Sequence, residues 1–251
     1  MLLHNCRMIN YHVANRTCQL LNRGTDHVRM AAKVDWSMRA VECAKPVLCQ
    51  NTYLFCVGIP DEQSQQCVCS PDYAGRRCEI RCDTPLGMSD YRIPDSSLAA
   101  SSSWNSKLSP PCGRLRRGWD DKCIGGWHSA SPFRVNQFLQ VDLGFSGLQS
   151  GLGNLTLIRK VATQGRAGDP SQITKQFVTS YGLDYSLDGT NWESYKENGA
   201  VKIFPGNSNS DGIVTHTLAE RLVTRYVRFM VKTWNGAIVM RVELYGSASC
   251  V

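Results

Sequence analysis

The chain has 251 residues, of which 42% are hydrophobic and 20% are charged, and its formal net charge is +7. No apolar stretch approaches the roughly 18 to 20 residues of a membrane-spanning helix, which argues against such a helix within these residues. No run of Lys and Arg reaches the roughly 5 to 8 residues of a polybasic patch, and we expect no nucleic-acid partner. The mild excess of positive charge either favours anionic partners, such as phospholipid headgroups and sulfated glycans, or is an ordinary basic surface.

Cysteine is unusually frequent, with 12 residues at positions 6, 18, 43, 49, 56, 67, 69, 78, 82, 112, 123 and 250. An even and dense set indicates disulfides, which persist in oxidising compartments. No Cys-x-x-Cys pair with zinc-site spacing occurs, so we expect no metal and no cofactor. The opening MLLHNC is too short and too polar for a signal peptide. We therefore expect an extracellular protein, secreted or the ectodomain of a membrane protein, of which this chain is a fragment without its signal.

The first segment, residues 1–42, contains only two cysteines, at the ends of a stretch that includes INY at 9–11 and NRTCQL at 15–20. It resembles the middle of an apple (PAN) domain, which implies a Cys6–Cys18 bond. Asn15 begins an N-glycosylation sequon, whose use is left open. Because about 40 residues rarely form a sufficient core alone, we expect this segment to be partly ordered at best.

The second segment, residues 43–78, contains six cysteines in 36 residues, and their number alone leaves the pairing open. Their spacing is similar to that of an EGF-like module. This resemblance implies the pairings Cys43–Cys56, Cys49–Cys67 and Cys69–Cys78. Glu42 is the one carboxylate in the run before the first cysteine, too few for a Ca²⁺ ion that takes roughly six to eight oxygens. We expect a calcium-independent spacer.

The third segment, residues 82–250, contains an ordered series of motifs: LQVDLG at 139–144, ATQGR at 162–166, YSLDG at 185–189 and MRVELYG at 240–246. The series resembles a coagulation factor V/VIII type C domain, also called a discoidin domain. That resemblance implies a mainly β fold, an antiparallel jelly-roll β-sandwich, that serves as a binding module. Period-two alternation supports strands with one buried face. The predicted buried sets are Leu139, Val141 and Leu143; Val227, Phe229 and Val231; and Ile238, Met240, Val242 and Leu244.

Two further features concern the covalent framework of this segment. The resemblance implies that a Cys82–Cys250 bond joins its ends, while Cys112 and Cys123 are additional and close enough in sequence for a local bridge. Residues 144–152 look like an insertion, either a surface loop or an error in the gene prediction. A second N-glycosylation sequon begins at Asn154, and its use is also left open.

Ligand binding in such domains is located in spike loops opposite the chain ends. By motif position these are a first spike at 103–107, a second spike at 116–120 and a third spike at 166–172. The candidate ligand-binding residues are Trp104, Asn105, Lys107, Arg116, Arg117, Trp119 and Arg166.

The strongest candidate is Trp104, whose indole is suited to membrane insertion, sugar stacking or protein contact, or else packs on the base of its own loop. Arg116 and Arg117 are suited to bidentate binding of phosphate, sulfate or carboxylate, or else lie in solvent. We expect Arg241 to have a structural role, with Asp142 as its partner.

No catalytic motif is recognisable: the five histidines lie in none, and Gly-x-Ser-x-Gly is absent. We therefore expect a binding protein rather than an enzyme. The first hypothesis is cell adhesion or recognition through a glycan or matrix-protein ligand. The second is binding to anionic membranes such as those with phosphatidylserine, for which the spikes supply little apolar area. The third is a structural ectodomain, or a targeting appendage, of a larger receptor or enzyme.

Overall fold

The computed structural model describes residues 8–12, 17–21, 36–38, 54–58, 65–70, 72–75, 78–130, 135–144, 155–168 and 175–251. Contacts divide the chain into two units, Met1–Arg81 and Cys82–Val251. A search of the described residues finds no helix with the length and apolar character needed to cross a membrane.

The described part of the first unit consists of short antiparallel strands. These are β1 (Met8–His12), β2 (Thr17–Leu21), β3 (Trp36–Met38), β4 (Leu54–Gly58), β5 (Gln65–Cys69), β6 (Tyr73–Ala74) and β7 (Ile80–Arg81). Strand β1 pairs with both β2 and β3, while β4 pairs with β5 and β6 with β7. The structure contains the Cys69–Cys78 bond, with the two Cα atoms 5.3 Å apart.

The other expectations for this unit fall outside the described residues or side chains. They are the bonds Cys6–Cys18, Cys43–Cys56 and Cys49–Cys67 and the sequon at Asn15. The apple-like and EGF-like assignments of residues 1–42 and 43–78 therefore stay predictions.

The second unit contains the longer strands. They are β8 (Thr84–Pro85), β9 (Leu98–Ala100), β10 (Trp127–His128), β11 (Phe138–Asp142), β12 (Thr156–Gln164), β13 (Phe177–Ser186), β14 (Glu193–Ser194), β15 (Lys196–Glu197), β16 (Ala200–Val201), β17 (Ile203–Pro205), β18 (Val214–Thr224), β19 (Tyr226–Asn235) and β20 (Val239–Ser247). Short 3-10 helices span Asp95–Ser97, Ser106–Leu108, Pro110–Gly113 and Ala248–Cys250.

Two antiparallel sheets enclose one hydrophobic core in this unit. One sheet has the order β10-β20-β12-β18 with β8 beside β20, and the other has the order β14-β13-β19-β11-β9 with β17 beside β13. The side chains of all three predicted sets are buried, because alternate residues of β11, β19 and β20, with Leu143 just after β11 and Ile238 just before β20, belong to the core between the sheets. The predicted fold class, a mainly β antiparallel sandwich, is confirmed.

The two disulfides expected in the second unit are both present. The Cys82–Cys250 bond joins its first and near-last residues with a Cα–Cα distance of 5.8 Å, and the Cys112–Cys123 bond has a Cα–Cα distance of 5.4 Å. The proposed insertion, apart from Gly144, and the sequon at Asn154 lie outside the described residues.

Candidate ligand-binding site

The described parts of the three predicted spikes are joined by backbone hydrogen bonds at one end of the sandwich. The Trp104 amide donates to the His128 carbonyl at 3.0 Å, which fixes the first spike to β10. The Ile124 amide, just after the second spike, donates to the Lys107 carbonyl at 3.0 Å. The Ala167 amide of the third spike donates to the Gly125 carbonyl at 2.7 Å, so the three loops form one connected surface. The third spike is described as far as residue 168.

Trp104 is presented to solvent by an anchored turn. Its side chain is 57% exposed, so it does not bury itself at the base of the loop, and its ring lies 5.3 Å from the His128 ring. Below it, Leu108 is 3% exposed and belongs to the packed interior. Asn105 caps the following 3-10 helix by accepting the Lys107 amide at 2.9 Å, so its Oδ1 has a structural partner. The exposed indole therefore stands on a well-fixed support.

Arg166 lies across from Trp104 and is held in a defined orientation. Its Nε donates to the Ile124 carbonyl at 3.1 Å and its Nη1 to Gln176 Oε1 at 2.6 Å. Its guanidinium carbon is 5.5 Å from the centre of the Trp119 ring, within cation–π range. These contacts direct a positive charge toward the space between the spikes.

A cleft of about 440 Å³ separates these side chains, a size within the range of small-ligand sites. Its lining combines two aromatic rings, a guanidinium and two amides on a small apolar floor, contributed by Trp104, His128, Arg166, Asn105, Gln176 and Leu108. This set offers stacking, charge and hydrogen bonding at once. The structure thus brings together three of the predicted ligand-binding residues, Trp104, Asn105 and Arg166, with His128 and Gln176, which sequence patterns did not indicate.

His128 is buried next to Trp104, and a hydrogen bond shows which of its ring nitrogens carries a proton. Its Nδ1 lies 2.7 Å from the Ser129 carbonyl oxygen, which only accepts, so Nδ1 carries a proton and donates. Burial lowers the pKa of His128 below its usual 6.5; the hydrogen bond to Ser129 opposes this shift, and the charge of Arg166 adds to it. The neutral ring is therefore the favoured form at neutral pH.

The second spike is braced on both sides of Trp119, whose side chain is 37% exposed. Trp119 forms an antiparallel bridge with Ile124, and Asp120 Oδ1 accepts the amides of Lys122 and Cys123 at 2.8 Å each. These backbone hydrogen bonds, the one from Cys123 above all, lower the pKa of Asp120 despite desolvation, with Arg117 also contributing. The Cys112–Cys123 bond closes the loop.

The structure does not place Arg116 and Arg117 in the cleft. The Arg117 guanidinium pairs with Asp120 at 2.5 Å and lies 5.6 Å from the centre of the Tyr91 ring. Arg116 has an exposed side chain and a positive φ of 63°, and its amide donates to Gln164 Oε1 at 3.0 Å. Lys107 is exposed on the first spike and contributes its carbonyl, rather than its charge, to the joint between the loops.

The expected pairing of Arg241 with Asp142 is wrong, because these residues lie on strands of different sheets. Asp142 accepts two hydrogen bonds from Arg225, at 2.9 and 3.0 Å. Arg241 is 3% exposed and donates to the carbonyls of Gly165 at 2.6 Å, Arg117 at 2.8 Å and Ser210 at 3.2 Å. It therefore supports the bases of the second and third spikes.

The cleft between the loops at one end of this two-sheet antiparallel β-sandwich is a candidate site for a ligand. The family model of the F5/8 type C domain matches residues 97–244, and the chain belongs to this family. Coagulation factor V of Mus musculus is 33% identical over 176 residues, which cover 67% of this chain and 7% of that protein. Epithelial discoidin domain-containing receptor 1 of Rattus norvegicus is 35% identical over 179 residues, which cover 70% of this chain and 18% of the receptor. The chain thus spans less than a fifth of these relatives.

Two solved structures illustrate the similarity in fold. Discoidin II from Dictyostelium discoideum has a TM-score of 0.49 and 27% identity, covering 59% of this chain and 53% of that chain. The family 32 CBM of NanJ from C. perfringens, in complex with galactose, has a TM-score of 0.40 and 16% identity, covering 61% of this chain and 96% of that chain.

Proposed function

We propose that this chain is an extracellular, non-catalytic recognition module that binds a glycan or a matrix protein through the cleft between its spikes. The observation that carries this proposal is the exposed Trp104 indole opposite the Arg166 guanidinium, both on anchored loops. An aromatic face stacks on the apolar face of a sugar ring or on a side chain, and a fixed guanidinium binds hydroxyl, carboxylate or sulfate groups. The disulfides support an oxidising, extracellular location.

The proposal is tested by applying the full chain and its Trp104→Ala variant to glycan and matrix-protein arrays. We expect the variant to lose at least about tenfold in affinity for every specific ligand, because removal of an aromatic anchor that the bound ligand covers costs about 2 kcal/mol or more. Its thermal stability should be unchanged, since the side chain is 57% exposed. Leu187→Ala, which removes another exposed apolar side chain from the Ser186–Gly189 turn, is the matched control and should bind normally.

Binding to anionic membranes is the second candidate, favoured by the exposure of Trp104 and Trp119 in the same group of loops. Flotation of the full chain with phosphatidylserine vesicles, beside phosphatidylcholine controls, distinguishes it. Phosphatidylserine-selective binding at physiological salt that is lost in Trp104→Ala, with blank arrays, would contradict the glycan and matrix-protein proposal. Absence of binding in both assays would leave the structural ectodomain or targeting appendage as the remaining hypothesis.

A further inference from the structure

We infer that Trp119 forms a second subsite beside the Trp104 cleft, so that the module binds an extended anionic glycan chain rather than a single sugar. This inference rests on the proposed function, since it specifies the ligand class of the same surface. It concerns a residue that does not line the cleft itself.

The first argument is that Trp119 is held in place before any ligand arrives. A bridge to Ile124, the turn closed by Asp120 and the Cys112–Cys123 bond restrict the backbone on both sides of the ring. Arg117 adds a salt bridge to Asp120, and its carbonyl accepts a hydrogen bond from the buried Arg241. A large exposed ring on a restrained loop binds with little loss of conformational entropy.

The second argument is that one guanidinium connects the two tryptophans. Arg166 lines the cleft together with Trp104, and the same guanidinium carbon lies 5.5 Å from the centre of the Trp119 ring. Arg166 is therefore within reach of a ligand that contacts both rings. Such a ligand has ring faces for stacking and an acidic group near its middle, which is the chemistry of a sulfated or uronic-acid polysaccharide.

The third argument is the charge of the surface. Residues 103–107, 116–124 and 166–168 carry five cationic side chains and two carboxylates, and Asp169 of the third spike brings the net charge of the loops to +2. This balance complements an anionic chain. The same charges disfavour insertion of Trp119 into a bilayer, because the ring would carry Arg166 and the Arg117–Asp120 pair toward hydrocarbon, where burying charge is costly.

The test is titration calorimetry of the full chain with heparin-derived disaccharide, tetrasaccharide and hexasaccharide at about 0.15 M salt, where exposed charge attraction is screened. We expect affinity to rise with length in the wild type. Trp119→Ala should bind the disaccharide normally but lose about tenfold for the hexasaccharide, a change of about 1.4 kcal/mol. Trp104→Ala should lose affinity for oligosaccharides of every length. Trp119→Phe should retain most of the increase in affinity from disaccharide to hexasaccharide.

Three outcomes would overturn the inference. If Trp119→Ala matches the wild type at every length while Trp104→Ala does not, there is a single subsite, and the proposed function survives. If Trp119→Ala weakens every length equally, the two rings form one site. If no length binds, anionic glycans are not the ligand, and phosphatidylserine vesicles tested with the same variants show whether Trp119 contacts membranes instead. Thermal unfolding of each variant confirms that the fold is intact.

Discussion

Two buried polar side chains of β20, Arg241 and Glu243, form hydrogen bonds with the backbone of the loops that cover this strand. Arg241 donates to three carbonyls beneath the spikes, as described above. Two residues further, Glu243 is fully buried and accepts the amides of Gly87, Met88 and Ser89 at 3.3, 3.0 and 2.9 Å. Both side chains point away from the core and are covered by loop backbone, whose polar groups they satisfy. Through these hydrogen bonds the two residues restrain the backbone of the loops.

Also at the scale of the residue, His128 should make the free energy of unfolding depend on pH. Its folded-state pKa lies below the usual 6.5, so the unfolded chain binds more protons between these two values. The stability from neutral His128 is complete above about pH 6.5 and is lost as the pH falls through the folded-state pKa. We expect His128→Gln to flatten this part of the curve of thermal midpoint against pH. The carboxylates are common to both proteins and serve as the internal control, and coincident pH profiles would contradict the assignment.

The sequence predicted some site residues and not others for a clear reason. Trp104 and Arg166 lie within motifs whose positions indicate exposed loops, and the structure places both at the cleft. His128 and Gln176 contribute only because β10 and the residue just before β13 lie beside those loops, and no local sequence pattern indicates such a tertiary contact. Arg241 is similar: its mid-strand position showed a structural role, but its partners depend on loops distant in sequence.

At the scale of the elements, the pairing of β12 with β18 contains a β-bulge, and β18 is the last strand of its sheet. Ile158 pairs with Leu222, but Lys160 pairs with Thr217, so residues 218–221 of β18 bulge out of register. Two amides in this bulge find side-chain partners: Ala219 donates to Glu197 Oε1 at 3.2 Å and Glu220 to the Tyr195 hydroxyl at 2.8 Å. Period-two alternation predicted buried positions of β11, β19 and β20, whereas the bulge in β18 interrupts that alternation and is not visible in the sequence.

Tyr195→Phe should therefore destabilise the protein by about 0.5–1.5 kcal/mol, because it removes the hydrogen bond of the Glu220 amide. The hydroxyl also donates to the Glu220 carbonyl at 3.1 Å, and burial raises the pKa of Tyr195 to about 12, so it remains a donor. Phenylalanine keeps the stacking on Phe204. Denaturant unfolding measures the loss. Tyr185→Phe, whose hydroxyl bonds the exposed Glu193, is the control, and equal effects of both variants would refute the role given to the bulge.

At the scale of the whole molecule, the two disulfides of the second unit are expected to stabilise different parts of it. The Cys82–Cys250 bond spans 168 residues and closes the sandwich, whereas the Cys112–Cys123 bond spans 11 residues and restrains the second spike. Because closure entropy grows with loop length, the long bond should contribute more to global stability and the short one more to the order of the binding loops.

Replacement of each cysteine pair by alanine tests this division. In the chain-entropy model, loss of Cys82–Cys250 costs about 5 kcal/mol and loss of Cys112–Cys123 about 3 kcal/mol. Urea unfolding of the two double variants gives the order of the effects. Amide exchange at Ile124 and Ala167 should increase without global unfolding only in the Cys112→Ala/Cys123→Ala protein. A reversed order of stability would show that strain or residual unfolded-state structure outweighs loop length.

The central claim is that ligand binds at the Trp104–Arg166 cleft, and tryptophan indole N–H resonances test it most directly. The full chain, with its six tryptophans assigned by single Trp→Phe variants, is titrated with the heparin hexasaccharide and followed by two-dimensional NMR. We predict that the Trp104 signal shifts with saturation, which tests the cleft, and that the Trp119 signal shifts with it, which tests the second subsite. Trp192 lies on another face of the sandwich, with the Arg228 guanidinium carbon 3.5 Å from the centre of its ring, and its signal should not shift. A saturable shift of Trp192 with Trp104 unchanged would contradict the claim.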